Sequence, residues 1–316
     1  MPSTKQYELI SAGIIEALEE SIRTGTNVVP WQKPWTSPAR LNSDRNGVSG
    51  KPYKGLNPFN LWLRSTTKGF TSTIWLTFKQ VKQLGGYVKK GEKSTTVYFW
   101  KWIEETTIID GKPYLGDSYP VIKFFGVFNL EQTENVKLPK RELEVPTEEL
   151  ENWNPIVEAQ SVLDAYVNQK GGPRLAHNGK NRAFYMPSTD SISLPEKSQF
   201  PKADEYYSTA FHEAGHSTGH TSRLNRMKDG ALVTRFGSHN YGKEELVAEF
   251  TSAFLSADVG IDSTRDNSTA YLQNWLSKLK NDPKLLLTAA SQAQKAATLI
   301  LSKSVKPVEG AQEVTK

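Results

Sequence analysis

Hydrophobic periodicity along the chain is strong in some segments and broken by proline and glycine in others. Residues 5–23 carry Tyr7, Ile10, Ile14, Leu18 and Ile22 at helical spacing, which predicts an amphipathic helix. Pro30, Pro34, Pro52 and Pro58, with Gly50 and Gly55, then divide residues 28–63 into loops and short pieces. TSTIWLTFKQVKQLGG (71–86) starts as a strand and continues as a short helix stopped by Gly85-Gly86. VKKGEKSTTVYFWKWI (88–103) reads as a turn and a strand, and YPVIKFFGVFNLEQT (119–133) as a second strand, with Gly111 marking the hairpin between them. These elements predict a small α+β domain over residues 1–133.

The next twenty residues, ENVKLPKRELEVPTEELENW (134–153), are polar, charged and punctuated by proline, which is the composition of a linker. Helical periodicity resumes at 155–169, and AFYMPSTDSISLP (183–195) predicts a strand hairpin turning at Pro187 to Asp190. Helices follow at about 204–218 and 242–260, and the rest, 265–302, is helical. A second domain of 154–302, mostly helical with a short sheet, and a flexible tail of 303–316 complete the expectation. The fold class is α+β in two domains.

Charge supports the division. The chain has 39 Lys/Arg and 34 Asp/Glu, for a net charge of +5, but the distribution is uneven. Residues 23–101 hold 14 basic and 2 acidic side chains, a net +12, which leaves −7 for the remainder. Such a split implies an anionic partner for the front half. The same stretch holds 12 aromatic residues, and six of the eight tryptophans fall within the first 102 positions. Aromatic platforms with interleaved cations are how single-stranded nucleic acid is bound without sequence reading. The candidate contacts are Trp31, Lys33, Trp35, Tyr53, Lys54, Trp75, Lys89, Lys90 and Lys93. Any single tryptophan reads more readily as core than as platform; the argument belongs to the region as a whole. There are no cysteines, so a transition metal must be held by histidine and carboxylate. No apolar run is long enough to cross a bilayer, and the N-terminus lacks a signal-peptide pattern, which predicts a cytoplasmic protein without a membrane partner.

The chemistry concentrates in His212-Glu213-Ala214-Gly215-His216. Residues four apart share a helix face, so both imidazoles can reach one metal ion, with Glu213 placed beside its water as general base. A catalytic zinc site needs a third protein ligand. His220 would lie ~12 Å along the axis from His212 if the helix continued, so it can join only if the chain bends at Gly219. The three-histidine pattern that bends at such a glycine requires histidine where this chain has Ser222. Glu245 and Glu249, in EELVAEF, resemble the helical carboxylates of gluzincin-like peptidases. That resemblance implies Glu245 as the third ligand and Glu249 as the partner of His212, with the reverse assignment open. Glu244 reads as a solvated helix charge, His239 as a loop histidine, and Tyr241 or Tyr271 as candidates for an oxyanion-stabilising hydroxyl. The metal is Zn2+, with Mn2+ as the other candidate. The 183–195 hairpin offers an edge to which an extended peptide substrate could pair.

Two sets of motifs carry a resemblance over residues 5–302. PWQKPW, SGKPYKGLN, WLTFKQ and LGGYVKKGEKSTTVYFWK resemble the N-terminal domain of ArdC-type antirestriction proteins. STDSISLP, FHEAGHSTGHTSRLNR, GKEELVAEF and AQKAA resemble their zincin-like metallopeptidase domain. The resemblance implies a protein of a plasmid, conjugative element or phage that binds single-stranded DNA and protects incoming DNA from host restriction. Three readings follow. The chain is a peptidase brought to DNA, with a restriction-system component as a candidate substrate; a DNA-binding shield with the zincin domain as scaffold; or a general single-strand binding protein.

Overall fold

The computed structural model describes residues 4–27, 29–31, 44–109, 112–139, 154–227, 239–262 and 267–302. The chain divides into two compact units. The first combines residues 1–30, 42–144 and 266–288; the second combines 31–41, 145–265 and 289–316. The first unit therefore takes in a C-terminal segment, 266–288, that a split along the linker assigns to the other domain.

In the first unit, α1 (Thr4–Thr24) forms over the predicted heptad-like stripe, and Ile14 and Leu18 are fully buried. It packs against α7 (Thr269–Asn281), where Lys280 pairs with Glu19 at 2.6 Å and Ser11 Oγ donates to the Pro283 carbonyl at 3.3 Å. These contacts explain the membership of 266–288, which sequence distance hides. The remaining elements are β1 (Arg45–Asn46), α2 (Asn57–Lys68), β2 (Ile74–Thr77), α3 (Phe78–Gln83), β3 (Tyr87–Val88), β4 (Thr95–Ile109), β5 (Lys112–Asn129) and β6 (Thr133–Glu134). Four strands form a sheet in the order β1-β2-β5-β4, parallel only between β1 and β2, and β3 pairs with β6. β4 and β5 make a long antiparallel hairpin with a register shift between Glu104 and Thr106.

Helix α2 departs from the loops expected over 49–63. Pro58 lies in its first turn, where no backbone N–H is required, and Gly69 closes it in the left-handed region at φ 72°. Proline that reads as a breaker therefore acts as a start signal. Phe59 and Leu61 are buried beneath the helix. The Asn57 side chain extends the sheet, since its amide donates to the Tyr98 carbonyl (2.8 Å) and accepts from the Tyr98 N–H (3.0 Å).

The second unit contains α4 (Pro155–Val167), β7 (Arg174–His177), β8 (Phe184–Met186), β9 (Ser191–Leu194), α5 (Ala203–Ser217), α6 (His239–Val259) and, from residue 289, most of α8 (Leu285–Leu301). Asn154 caps α4 by accepting from the N–H groups of Ile156 and Val157. The sheet order is β7-β9-β8. β7 lies outside the expected elements; it pairs in parallel with β9, so only the β8 half of the predicted hairpin is a sheet edge. Leu163, Tyr166, Ile192, Leu194, Phe211 and Leu255 lead a continuous apolar core between sheet and helices. Among the described residues, no helix is long and apolar enough to cross a membrane.

Candidate functional site

α5 is buried on nearly every side, with Tyr206, Tyr207, Ala210, Phe211 and Ala214 facing apolar neighbours. Asp204 and Glu205 occupy its first turn, where negative charge complements the helix dipole. α6 packs directly against it. Gly215 makes the close approach possible, because a Cβ there would lie 3.1 Å from Ala248 Cα and 3.0 Å from Thr251 Cβ. The glycine inside the histidine motif thus brings the acidic helix within reach of the two imidazoles. The Ser252 hydroxyl adds a tie by donating to the Ser208 carbonyl at 2.7 Å.

Two pairs separated by one helical turn consequently face each other, His212/His216 on α5 and Glu245/Glu249 on α6. Glu245 Oε2 lies 3.5 Å from His212 Nε2, and Glu245 Oε1 lies 3.5 Å from His216 Nε2. The three residues offer ligand atoms all within 4.8 Å of one another. With metal–ligand bonds of about 2.0–2.1 Å, the donors of a tetrahedral site sit about 3.4 Å apart. Two imidazole nitrogens and a carboxylate, gathered within 4.8 Å, are a donor set that suits a divalent transition metal and supply three of the four ligands of such a site.

The electrostatics favour a cation there. Burial alone would lower the His212 imidazole, but the Glu245 contact and the charges of Glu213, Glu249 and Glu245 outweigh it and push the pKa up to about 9. Glu249 thus acts on His212 through its charge. Glu213 is buried and one residue from His212, on the same stretch of helix.

Glu244 corrects an expectation. It is not a solvated charge but a side chain only 6% exposed, with Oε1 3.7 Å from His216 Nδ1. A carboxylate facing Nδ1 favours the tautomer that carries its proton there, which leaves the Nε2 lone pair available to a metal ion. Arg226 grips Glu244 with two parallel hydrogen bonds, at 3.1 Å and 2.7 Å. It also donates to the Gly215 carbonyl (3.0 Å) and to Thr218 Oγ1 (2.8 Å), so one guanidinium joins α6 to the end of α5. Burial would raise the Glu244 carboxyl, but the nearby His216 imidazole and the hydrogen bonds from Arg226 prevail and hold it below its ordinary range. Neither residue carries a distinguishing sequence signal: Glu244 is one of three acids in KEELVAEF, and Arg226 is one of several basic residues in SRLNRMK.

After α5 the chain leaves the helix. His220 Nδ1 meets the Ser222 hydroxyl at 2.7 Å and is outside the ligand cluster. Arg223 holds this turn, donating to the Ser217 and Gly171 carbonyls and to both oxygens of Asp190, which also accepts from the Tyr185 hydroxyl. Tyr271 belongs to the first unit, while the side chains of His239 and Tyr241 lie outside the described residues.

The expected nucleic-acid contacts are distributed differently. Trp31 is fully buried in the second unit, edge-on to Phe250 at 5.3 Å. Trp75 is fully buried in the first, with its indole N–H donating to Asp44 at 2.6 Å. A ring without an exposed face cannot stack on a base, so both tryptophans are core residues. Tyr53 is buried at the wall of a surface groove. Lys54, Lys89, Lys90 and Lys93 are exposed, and the Lys89 ammonium donates to the Glu131 carbonyl at 2.9 Å. Lys33 and Trp35 lie outside the described residues. Phe99, Phe125 and Lys123, absent from the expectation, line the same groove as Tyr53.

Known proteins match both units. Residues 4–128 match a sequence family described as the N-terminal domain of anti-restriction factor ArdC, and residues 163–292 match a zincin-like metallopeptidase family. A DNA primase TraC of Escherichia coli is 39% identical over 312 residues, covering 94% of this chain. The chain spans 27% of that relative's length and 20% of a second TraC primase. Uncharacterized protein y4eC of Sinorhizobium fredii is 30% identical over 300 residues, covering 93% of this chain and 91% of its own. Two crystal structures of antirestriction protein ArdC from plasmid R388 are each 35% identical. The metal-free structure gives a TM-score of 0.68, covering 94% of this chain and 97% of that one. The Mn(II)-bound structure gives 0.69, covering 95% and 98%. With both units matched in order and nearly the full length of ArdC aligned, the chain belongs to the ArdC antirestriction family.

Proposed function

We propose that this chain is an antirestriction protein of a mobile element, binding single-stranded DNA through its first unit and carrying a peptidase-type metal site in its second. The observation that carries the metal reading is the convergence of His212, His216 and Glu245 beside Glu213, backed by the buried Glu244–Arg226 pair. The Mn(II) in a structure of the R388 protein supports a divalent ion in this one, and the donor set suits Zn2+ or Mn2+. The basic, aromatic composition of residues 23–101 supports DNA as the partner.

Bound at this site, the ion would polarise a carbonyl and lower the pKa of a water molecule. Glu213 is the proton carrier: its carboxylate accepts a proton from the attacking water and returns it to the departing amine. Glu245 and the two imidazoles hold the ion, Glu249 steadies His212, and Glu244 orients His216. The unpaired edge of β8 offers backbone groups to an extended peptide, a protein component of the restriction system being one such substrate.

Transfer of a plasmid into a restricting host, with wild type and Glu213→Gln compared, tests the reading. Loss of protection by Glu213→Gln with metal content retained supports peptidase action. Full protection by the variant makes the second unit a scaffold and the protein a shield on DNA. Absence of protection by the wild type refutes the antirestriction assignment.

A further inference from the structure

The first unit carries a groove of about 440 Å³, a volume within the range of ligand sites. Its walls come from β1 and the turn after it, the β2–α3 junction and the central part of the β4–β5 hairpin. In the hairpin, Phe99 pairs with Lys123 and Val97 with Phe125, so these four side chains and Val127 share one face of the sheet. Val97 and Val127 lie under the core; the same face then opens, leaving Phe99 45% and Phe125 42% exposed. The two rings touch edge to face with centroids 5.7 Å apart, and Tyr53 continues the row 6.0 Å from Phe99.

Exposed rings in contact on a sheet mark an interaction surface. Charge identifies the occupant. Lys51 and Lys123 are exposed at the rim, and among the described residues no carboxylate lines the groove. Asp44, next to β1, is buried and accepts from the Trp75 indole. The surface is thus apolar and aromatic within and cationic at the edge, with its walls from Asn46 to Phe99 drawn from the stretch of net +12, which complements a polyanion bearing flat apolar rings.

The floor indicates how such a polymer is recognised. Asn46 and Gln80 form a reciprocal amide pair, at 3.0 Å and 3.1 Å. Asn46 Oδ1 also accepts from the N–H groups of Val48 and Ser49, and Gln80 Oε1 from the N–H and hydroxyl of Thr77. Both amide oxygens are therefore engaged in shaping the turn and capping α3, which removes them as acceptors for an exocyclic base amine.

We propose that single-stranded DNA occupies this groove, a base stacking on the Phe99/Phe125 surface and flanking phosphates meeting Lys51 and Lys123, without reading of base identity. The proposal rests on the DNA-binding reading above and names the surface that performs it.

Fluorescence anisotropy of the full chain with labelled dT, dA and abasic oligonucleotides of equal length tests it. Loss of one stacked base is worth ~1–3 kcal/mol, so Phe99→Ala and Phe125→Ala are each expected to weaken dT binding by about 5- to 150-fold. Lys51→Ala and Lys123→Ala should each reduce the slope of log affinity against log salt by about 0.7. The dT and dA strands should bind alike, and the abasic strand weakly. Phe99→Tyr and Phe125→Tyr, which retain a stacking ring, should restore binding and control for damage to the fold. Wild-type binding unchanged in both alanine variants overturns the groove while leaving DNA binding in place, and failure of the tyrosine variants to bind overturns it as well. A strong preference for one base refutes the sequence-blind mode. No wild-type binding to any strand removes the DNA reading and the groove together. Loss of self-association in the alanine variants at unchanged DNA affinity makes the surface a protein interface and contradicts the proposal.

Discussion

The two units use similar residue types in opposite ways. The second withdraws its charges: Glu244, Arg226 and His216 are each less than a tenth exposed, and their chemistry depends on helices held at a close approach. The first buries Trp75 and Tyr98 but presents other rings and most of its described lysines outward. Among the described residues, the exposed large aromatic side chains Phe78, Tyr87, Phe99 and Phe125 all belong to it. A metal site requires donors fixed to fractions of an ångström, which burial supplies. A flexible polyanion needs accessible rings and solvated cations, which packing would remove. Damage should therefore propagate through packing in one unit and remain local in the other.

The largest effect should come from breaking the buried ion pair. Arg226→Ala leaves the buried Glu244 carboxylate without its guanidinium, a change worth about 3–5 kcal/mol of stability. It also loosens His216, lowering metal affinity by about 10- to 100-fold. Thermal unfolding and metal titration measure both, with DNA affinity expected to stay constant. Next is Gly215→Ala, whose methyl group must displace α6 at Ala248 and Thr251. Overpacking of this kind costs about 1–3 kcal/mol, and weakened metal binding should accompany the lower Tm because Glu245 moves with its helix.

A smaller effect sharpens the comparison through pH. Burial would raise the Asp190 carboxyl, but hydrogen bonds from Arg223 and Tyr185 hold it below its ordinary value of 3.8. Its contribution to stability is complete above that value and disappears as pH falls through the lower folded-state value. Asp190→Asn should therefore destabilise the protein at neutral pH and flatten the acid side of its stability profile, as followed by denaturant unfolding across pH. The smallest effect belongs to the first unit's surface. Lys54→Ala and Lys90→Ala should change stability by no more than about 0.5 kcal/mol. If these lysines meet phosphates, each should reduce the salt dependence of DNA binding by about 0.7.

What was legible in the sequence follows the same division. HEAGH could be read because helical spacing alone places two imidazoles on one face, and EELVAEF repeats that geometry on the facing helix. Glu244 escaped the reading because its importance comes from α6 packing on α5, which no local pattern records. The role of Arg226 likewise depends on the turn after Ser217. In the first unit, composition points to a basic, aromatic surface but does not say which rings are exposed. Trp31 and Trp75 are core residues, whereas Phe99 and Phe125 emerge because the sheet face they share with Val97 and Val127 runs past the core. Helix α2 was hidden by Pro58, a residue equally able to end a helix or begin one. The place of 266–288 in the first unit depends on α1 meeting α7, a pairing far apart in sequence.

The central claim is that His212, His216 and Glu245 form one metal centre with Glu213 beside it as proton carrier rather than ligand. Metal stoichiometry of the purified full chain tests this most directly, with wild type, Glu213→Gln and Glu245→Ala loaded with Zn2+ or Mn2+ and dialysed in parallel. The account predicts one ion per chain for wild type and Glu213→Gln and loss of the ion from Glu245→Ala. Full occupancy in Glu245→Ala, or loss of the ion from Glu213→Gln, would contradict it.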